Sequence, residues 1–201
     1  MPATDKAPTE LPESIETERL VLRPYRPGDG GAYFVLCMNN KEHLPPFEAG
    51  NSALSVETEE DAENLVAELA AAWAARDGFP MGVWLKNGGS LVAQVYVGVV
   101  SRKLPEFAVG YFADRDHEGK GYVSEAVRGV LGLAFERLGA RRVRICCSEA
   151  NVRSMRVAER CGFRREGLLR EASWHRLPDG TPAGECIYGM LRSEYLKSLP
   201  E

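Results

Sequence analysis

The stretch Val109-Gly110-Tyr111-Phe112-Ala113-Asp114-Arg115-Asp116-His117-Glu118-Gly119-Lys120-Gly121-Tyr122-Val123-Ser124-Glu125-Ala126 decides how the rest of the chain is read. A short apolar run enters a charged turn, two glycines bracket Lys120, and a helical pattern continues to Leu138. Val123, Ala126, Val127, Val130, Leu131, Ala134, Phe135 and Leu138 recur at steps of three and one. That spacing lays an apolar stripe along one helix face. The helix start is polar and glycine-rich. First-turn N–H groups have no intrahelical partner and carry partial positive charge, so this strand–turn–helix unit predicts an anion site. Which anion it takes must come from the rest of the chain.

Working outward, the 201 residues suit one domain with a short arm. Residues 1–16 are polar and proline-bearing and read as a flexible arm, and 17–197 as the single domain. Arg19 to Arg23 alternates as a strand, and a weak helix follows from Asp29 to Met38. Ala62, Leu65, Val66, Leu69, Ala70 and Trp73 form a second helical stripe, opened by a Thr58/Asp61 capping pattern and closed at Gly78. Strands Met81–Lys86 and Leu91–Val100 join through Asn87-Gly88-Gly89-Ser90, a hairpin signal. Glu106–Ala113 leads into the opening stretch. Arg142–Cys147 alternates as a strand, Asn151–Cys161 reads as a short helix, and Phe163–Arg176 and Gly184–Arg192 read as closing strands. This order predicts an α/β fold with a mixed sheet and helices on its faces.

Composition removes several classes. A formal net charge of -4 argues against nucleic-acid binding through bulk basicity. No apolar run approaches the roughly 18–20 residues that span a bilayer, and the N-terminus lacks a signal-like apolar region. The expectation is a cytoplasmic protein with no membrane and no nucleic-acid partner. Cys37, Cys146, Cys147, Cys161 and Cys186 are odd in number and show no Cys-x-x-Cys spacing, so they predict free thiols and no metal site.

The glycine turn fits neither familiar nucleotide motif. A Walker loop needs Gly-Lys followed by Ser or Thr, whereas Gly119-Lys120 is followed by Gly121. A dinucleotide fingerprint needs a third glycine where Ser124 stands. A tight glycine turn before an ordinary helix explains it equally well. After the strand ending at Cys147 come Asn151 and Ser154, then Glu159-Arg160-Cys161-Gly162-Phe163. Asn151 reads either as a helix cap or as an amide for an extended ligand.

Together, Glu118-Gly119-Lys120-Gly121-Tyr122-x-x-Glu125-Ala126 and Asn151-x-x-Ser154-x-x-x-x-Glu159-Arg160-x-Gly162-Phe163 resemble the GNAT superfamily of acetyl-CoA-dependent N-acetyltransferases. The RimJ/RimL-type branch is the nearest likeness. Glu18-Arg19-Leu20-Val21-Leu22-Arg23 and Asn40-Lys41-Glu42-His43-Leu44 fit it too. The resemblance implies a three-layer fold: a central, mainly antiparallel sheet of about seven strands, splayed in the middle, with helices on both faces. It implies acetyl-CoA as cosubstrate without a metal, its pantetheine paired with backbone near Tyr111, Phe112 and Ala113. The pyrophosphate would sit on N–H groups of Glu118, Gly119, Lys120, Gly121, Tyr122 and Val123, with Asn151 and Ser154 on the other side. Gly119 and Gly121 matter more than the Lys120 charge in this reading.

Two positions depart from the family. Asp116 stands where Gln or Arg often precedes the loop, and Ala158 where many members carry a general-acid Tyr. The acid role would pass to Ser154. Ala108 occupies a place where this branch often has Glu; Glu106 is the candidate base, with His43, His175, Glu171 and Glu185 left open. A backbone N–H near Phe112 would polarise the thioester carbonyl. The implied reaction is acetyl transfer by direct attack of a primary amine, such as a protein N-terminal amine, on a monomer or homodimer. A small amine (polyamine or antibiotic) or a non-catalytic acyl-CoA-binding module are the alternatives. Asn39–Phe47 and the turn Pro178–Gly180 would wall the acceptor, and the acidic balance favours a cationic one.

Overall fold

The structure, a computed structural model, describes residues 10–45 and 51–199. The first part of the expected arm and the Pro46–Phe47 end of the expected acceptor wall lie outside the described residues. Eight strands form one sheet in the order β1-β2-β3-β4-β5-β6-β8-β7. They are β1 (Ile15–Glu16), β2 (Leu20–Arg23), β3 (Gly78–Leu85), β4 (Leu91–Ser101), β5 (Glu106–Ala113), β6 (Arg142–Ser148), β7 (Arg164–Leu169) and β8 (Glu185–Leu191). All neighbours are antiparallel except β5 and β6. The strand beyond the expected seven is β1, inside the segment read as an arm: Ile15 and Glu16 pair with Leu22 and Val21.

On one face, α1 (Gly30–Asn40) and α2 (Glu59–Ala75) enclose a cluster with Tyr25, Leu91 and Phe112. On the other, α3 (Tyr122–Gly132), α4 (Val152–Arg160) and α5 (Arg192–Ser198) cover the larger core, which includes Val95, Val109, Val143 and Ile145. Each fully buried Val, Leu, Ile or Phe contributes roughly 1.5–3 kcal/mol relative to exposure. These helices therefore hold the strands beneath them to a fixed face. α5 was not foreseen in the sequence, where the closing strand was expected to run on to Arg192; the helix covers the core through Tyr195, which stacks on Phe135.

Local chemistry explains most boundaries. The Thr58 hydroxyl accepts from Asp61 N–H (3.1 Å) while the Asp61 carboxylate accepts from Thr58 N–H (2.9 Å), the reciprocal cap expected for α2. Its other end differs from expectation. α2 stops because Arg76 turns left-handed (φ 58°), and Gly78 instead begins β3 beneath the Tyr96 ring. A Cβ on Gly78 would come within 2.7 Å of that ring, so glycine is there for close approach. The stripe after α3 continues through a single π turn, Leu133–Arg137. That turn brings Leu133, which lies off the stripe, into the core with Ala134 and Phe135. β7 ends at Leu169, well short of the expected Arg176; beyond it Ser173, His175 and Leu177 make backbone bonds to Ala183 and Thr181 around an isolated Arg176–Pro182 bridge.

Candidate active site

The site begins where β5 and β6 part. They pair at Glu106–Arg142, Phe107–Val143 and Ala108–Arg144 only, whereas β4 follows β5 as far as Ala113. From Val109 to Ala113, β5 thus has a partner on one side and an open slot on the other. Backbone N–H and C=O groups there must find partners in whatever fills the slot. An amide-rich, extended molecule or water meets that demand.

At the slot's mouth the chain turns from β5 into α3. Asp114, 5% exposed, accepts from Asp116 N–H (3.2 Å) and from Asn39 Nδ2 (3.3 Å), and sits 2.9 Å from His117 Nδ1. Its carboxylate thus gathers the turn into shape. Gly119 (φ 72°) and Gly121 (φ 81°) both take the left-handed conformation that glycine alone adopts without strain. Gly121 caps α3 with no side-chain acceptor, and a Cβ on Gly119 would meet nothing within 4 Å. The first-turn N–H groups consequently stand over open space, the cradle an anion requires.

Arg19 fixes the loop from below. Its Nη1 donates to the Lys120 carbonyl (3.0 Å), its Nε to Glu125 (2.7 Å), and its guanidinium lies 4.7 Å from the Tyr122 ring centroid. Burial alone would raise the Glu125 carboxyl. Bonds from Thr17, the Arg19 N–H and the Arg19 guanidinium outweigh it and hold the carboxyl below its ordinary value. With the Lys120 carbonyl drawn toward Arg19, the peptide N–H groups are turned the other way. Arg19→Ala is therefore expected to weaken acetyl-CoA binding several-fold while leaving secondary structure in place; calorimetry with circular dichroism checks this, and unaltered affinity would remove Arg19 from the loop's support.

The opposite wall is α4. Asn151 caps it, its Oδ1 accepting from Ser154 N–H (3.1 Å), which leaves Nδ2 as the amide donor for a ligand. Both readings of Asn151 are compatible with this geometry. Ser154 Oγ is 2.8 Å from Tyr111 Oη, and the same phenol reaches the Ser154 carbonyl at 3.2 Å. Cys147 lies beside them; burial pushes its thiol up to about 11, offset in part by the Ser154 hydroxyl, so it stays protonated and inert. Ala158, at the place of the missing Tyr, is fully buried.

These pieces line one cavity of about 570 Å³. Tyr111, Phe112, Ala113, Glu118, Gly119, Gly121, Tyr122, Val123, Asn151 and Ser154, all expected from the sequence, meet there. Lys120 does not line it: its ammonium donates to the Asp116 carbonyl (3.0 Å) and serves the loop itself. Glu106 is not brought there either. It sits at the closed end of the slot, bonded to Arg142 at 3.3 Å, about 20 Å of strand from Phe112 at ~3.3 Å per residue. His175 is engaged with Ser173 Oγ (2.8 Å) in the β7–β8 connection. His43 reaches the cavity mouth, where Glu118 bonds both its Nε2 (2.7 Å) and Arg153.

Sequence reasoning missed Asp114 and three cations. Arg153, Arg156 and Arg160 all line the cavity, at the i, i+3, i+7 spacing of one helix face. That spacing is present in the sequence, but a net charge of -4 does not reveal a local basic face.

A splayed mixed sheet with a glycine anion loop at the mouth of the splay defines the acetyltransferase class. The chain belongs to the GNAT family: the profile of the acetyltransferase (GNAT) domain matches residues 19–164. It is similar to the uncharacterized N-acetyltransferase YoaA of Bacillus subtilis, 26% identical over 178 residues, covering 89% of this chain and 96% of that one. A 66-residue segment is 35% identical to the ribosomal-protein-serine acetyltransferase of Escherichia coli, spanning 33% of this chain and 37% of the relative. Among solved structures, Mycobacterium smegmatis RimJ in complex with CoA-disulfide superposes with a TM-score of 0.75 at 23% identity, over 90% of this chain and 84% of that one. The protein is thus a GNAT-type N-acetyltransferase with RimJ/RimL-type relatives. No described helix is long and apolar enough to cross a membrane.

Proposed function

We propose that this acetyltransferase moves an acetyl group from acetyl-CoA to a primary amine by direct attack within one ternary complex. The observation that carries the reading is the coincidence, in one cavity, of the unpaired β5 backbone, the glycine loop and the Tyr111–Ser154 hydroxyl pair. The N–H groups of Gly119–Val123 bind the pyrophosphate, the Glu118 N–H being turned to the Arg115 carbonyl (3.4 Å), and Arg153, Arg156 and Arg160 add positive charge along the phosphate path. One phosphate charge at a helix start contributes roughly 0.3–1 kcal/mol when exposed, up to about 2 when partly buried, so several donors act together.

Acetyl-CoA, when bound, supplies an activated thioester. The chain's own groups do the rest. The β5 backbone aligns the pantetheine, and a strand N–H near Phe112 polarises the carbonyl. Ser154, with Tyr111 behind it, protonates the departing sulfur. Glu118 is the one carboxylate among the described lining residues, and it is engaged by His43 and Arg153. The acceptor ammonium therefore loses its proton to solvent, rather than directly to Glu106, before the neutral amine attacks. A protein N-terminal amine is the acceptor class favoured by the relatives' names.

The test is release of free CoA thiol from acetyl-CoA over N-terminal peptides and small amines, together with thermal shift. A ligand at a hundred times its Kd stabilises by about 2.7 kcal/mol. Acetyl-CoA should shift the melt strongly and ATP or NAD should not. Equal shifts from all three would defeat the reading.

A further inference from the structure

The second face of the sheet carries an arginine whose Nε has no partner among the described residues. Along β6, Val143, Ile145 and Cys147 are buried in the core under α3 and α4, whereas Arg142, Arg144 and Cys146 are only partly buried and point to the opposite face. Arg142 is satisfied twice, by Glu106 and Glu166. Among the described residues Arg144 makes no hydrogen bond or ion pair, and its Nε is shielded from solvent. Its in-register neighbours are Ala108 on β5 and Gly189 on β8, neither of which has a side-chain acceptor, and the Glu166 carboxylate that lies over Gly189 is taken by Arg142. A guanidinium cannot discharge itself by losing a proton, so a shielded Nε–H without an acceptor is costly. Ala108–Arg144 is also the last pair before β5 and β6 separate. The unpartnered cation thus stands at the vertex of the slot.

We propose that Arg144 is the acceptor-recognition residue, and that the amine this enzyme acetylates carries a carboxylate held by that guanidinium. The proposal relies on the acetyl-transfer reading for the reaction, but not for the anion site itself. Four residues of strand, about 13 Å at ~3.3 Å per residue, separate Ala108 from Phe112. An arginine side chain covers part of that span. The carboxylate then lies one to three residues from the reacting amine, either as an acidic side chain near a peptide N-terminus or as the terminal carboxylate of a short peptide. Fixed guanidinium geometry suits bidentate capture of either. This reverses the expectation of a cationic acceptor drawn from net charge, on the strength of that one guanidinium.

Two peptide pairs separate the sources, Ala-Asp-amide against Ala-Asn-amide and Ala-Ala against Ala-Ala-amide. Calorimetry on the full chain saturated with CoA should show the carboxylate-bearing member of one pair binding roughly ten- to hundred-fold more tightly. Arg144→Gln should erase that margin with CoA affinity retained, and Arg144→Lys should keep part of it, because a point charge replaces the planar fork. Equal binding within both wild-type pairs, or a margin that survives Arg144→Gln, overturns the proposal. If CoA itself does not bind, the acetyl-CoA reading fails instead, and the same pairs titrated into the free protein still decide Arg144.

Discussion

Gly121→Val abolishes measurable acetyl-CoA binding, on the order of a hundred-fold loss or more, while the chain still folds. Gly121 is at φ 81° and is the residue from which α3 starts. An L-residue pays ~1–2 kcal/mol in that region, and β-branching adds to it. Space is not the obstacle, since a Cβ there would meet only Arg19 Nη2, at 3.5 Å. What fails is direction: relieving the strain rotates the Gly121–Tyr122 peptide and turns its N–H groups from the phosphates. Several charge-assisted bonds weaken together, which is why the loss in binding exceeds the local strain. Isothermal calorimetry gives the affinity and a melting curve gives the fold. Retained affinity in a folded variant would take the loop out of the site.

Ser154→Ala lowers kcat by about 10²-fold with little change in acetyl-CoA affinity, within the ~10²–10⁴-fold range of general acid–base assistance. Ser154 Oγ is 2.8 Å from the Tyr111 phenol and also lies beside the Cys147 thiol, and that phenol reaches both Ser154 Oγ and the Ser154 carbonyl. When Tyr111 donates to Oγ, the serine proton is released toward the slot; when it donates to the carbonyl, the serine proton is held on the phenol. The pair therefore sets the availability of one proton. Tyr111→Phe should accordingly reduce kcat in the same direction but less, and the double variant should fall by less than the product of the two singles. Single-turnover kinetics at saturating acetyl-CoA measures this. A wild-type rate in Ser154→Ala would reduce that serine to a helix-start residue, with water protonating the sulfur.

The glycine loop and the α4 cap that line the cavity were legible in the sequence because their placement depends on local chemistry. Glycines at left-handed positions, a capping residue after a strand and a helical stripe each announce themselves within a few residues. The missed parts depend on distance. Tyr111 and Ser154 are 43 positions apart, and only the splay of β5 from β6 makes their hydroxyls neighbours. Strand parity correctly put Glu106 on the face shared with Ala108 and Gly110, but parity says nothing about height along a strand. Arg142 holds that carboxylate at the closed end. Gly78 was read as a helix stop because glycine usually is one there, whereas the Tyr96 ring across the sheet is what requires it. The two-residue strand β1 carries too little pattern to be seen at all.

The three pairs joining β5 to β6 carry a consequence for cooperativity. The sheet is in effect two antiparallel ribbons, β1–β5 and β6–β8–β7, riveted at one corner and shared by a common helical layer. A molecule lying along the slot becomes a surrogate strand that completes the seam. Ligand binding should then be felt as a change in how the ribbons open: amide exchange along Val109–Ala113 and Ile145–Ser148, rapid by local opening in the free protein, would slow together once the seam is closed.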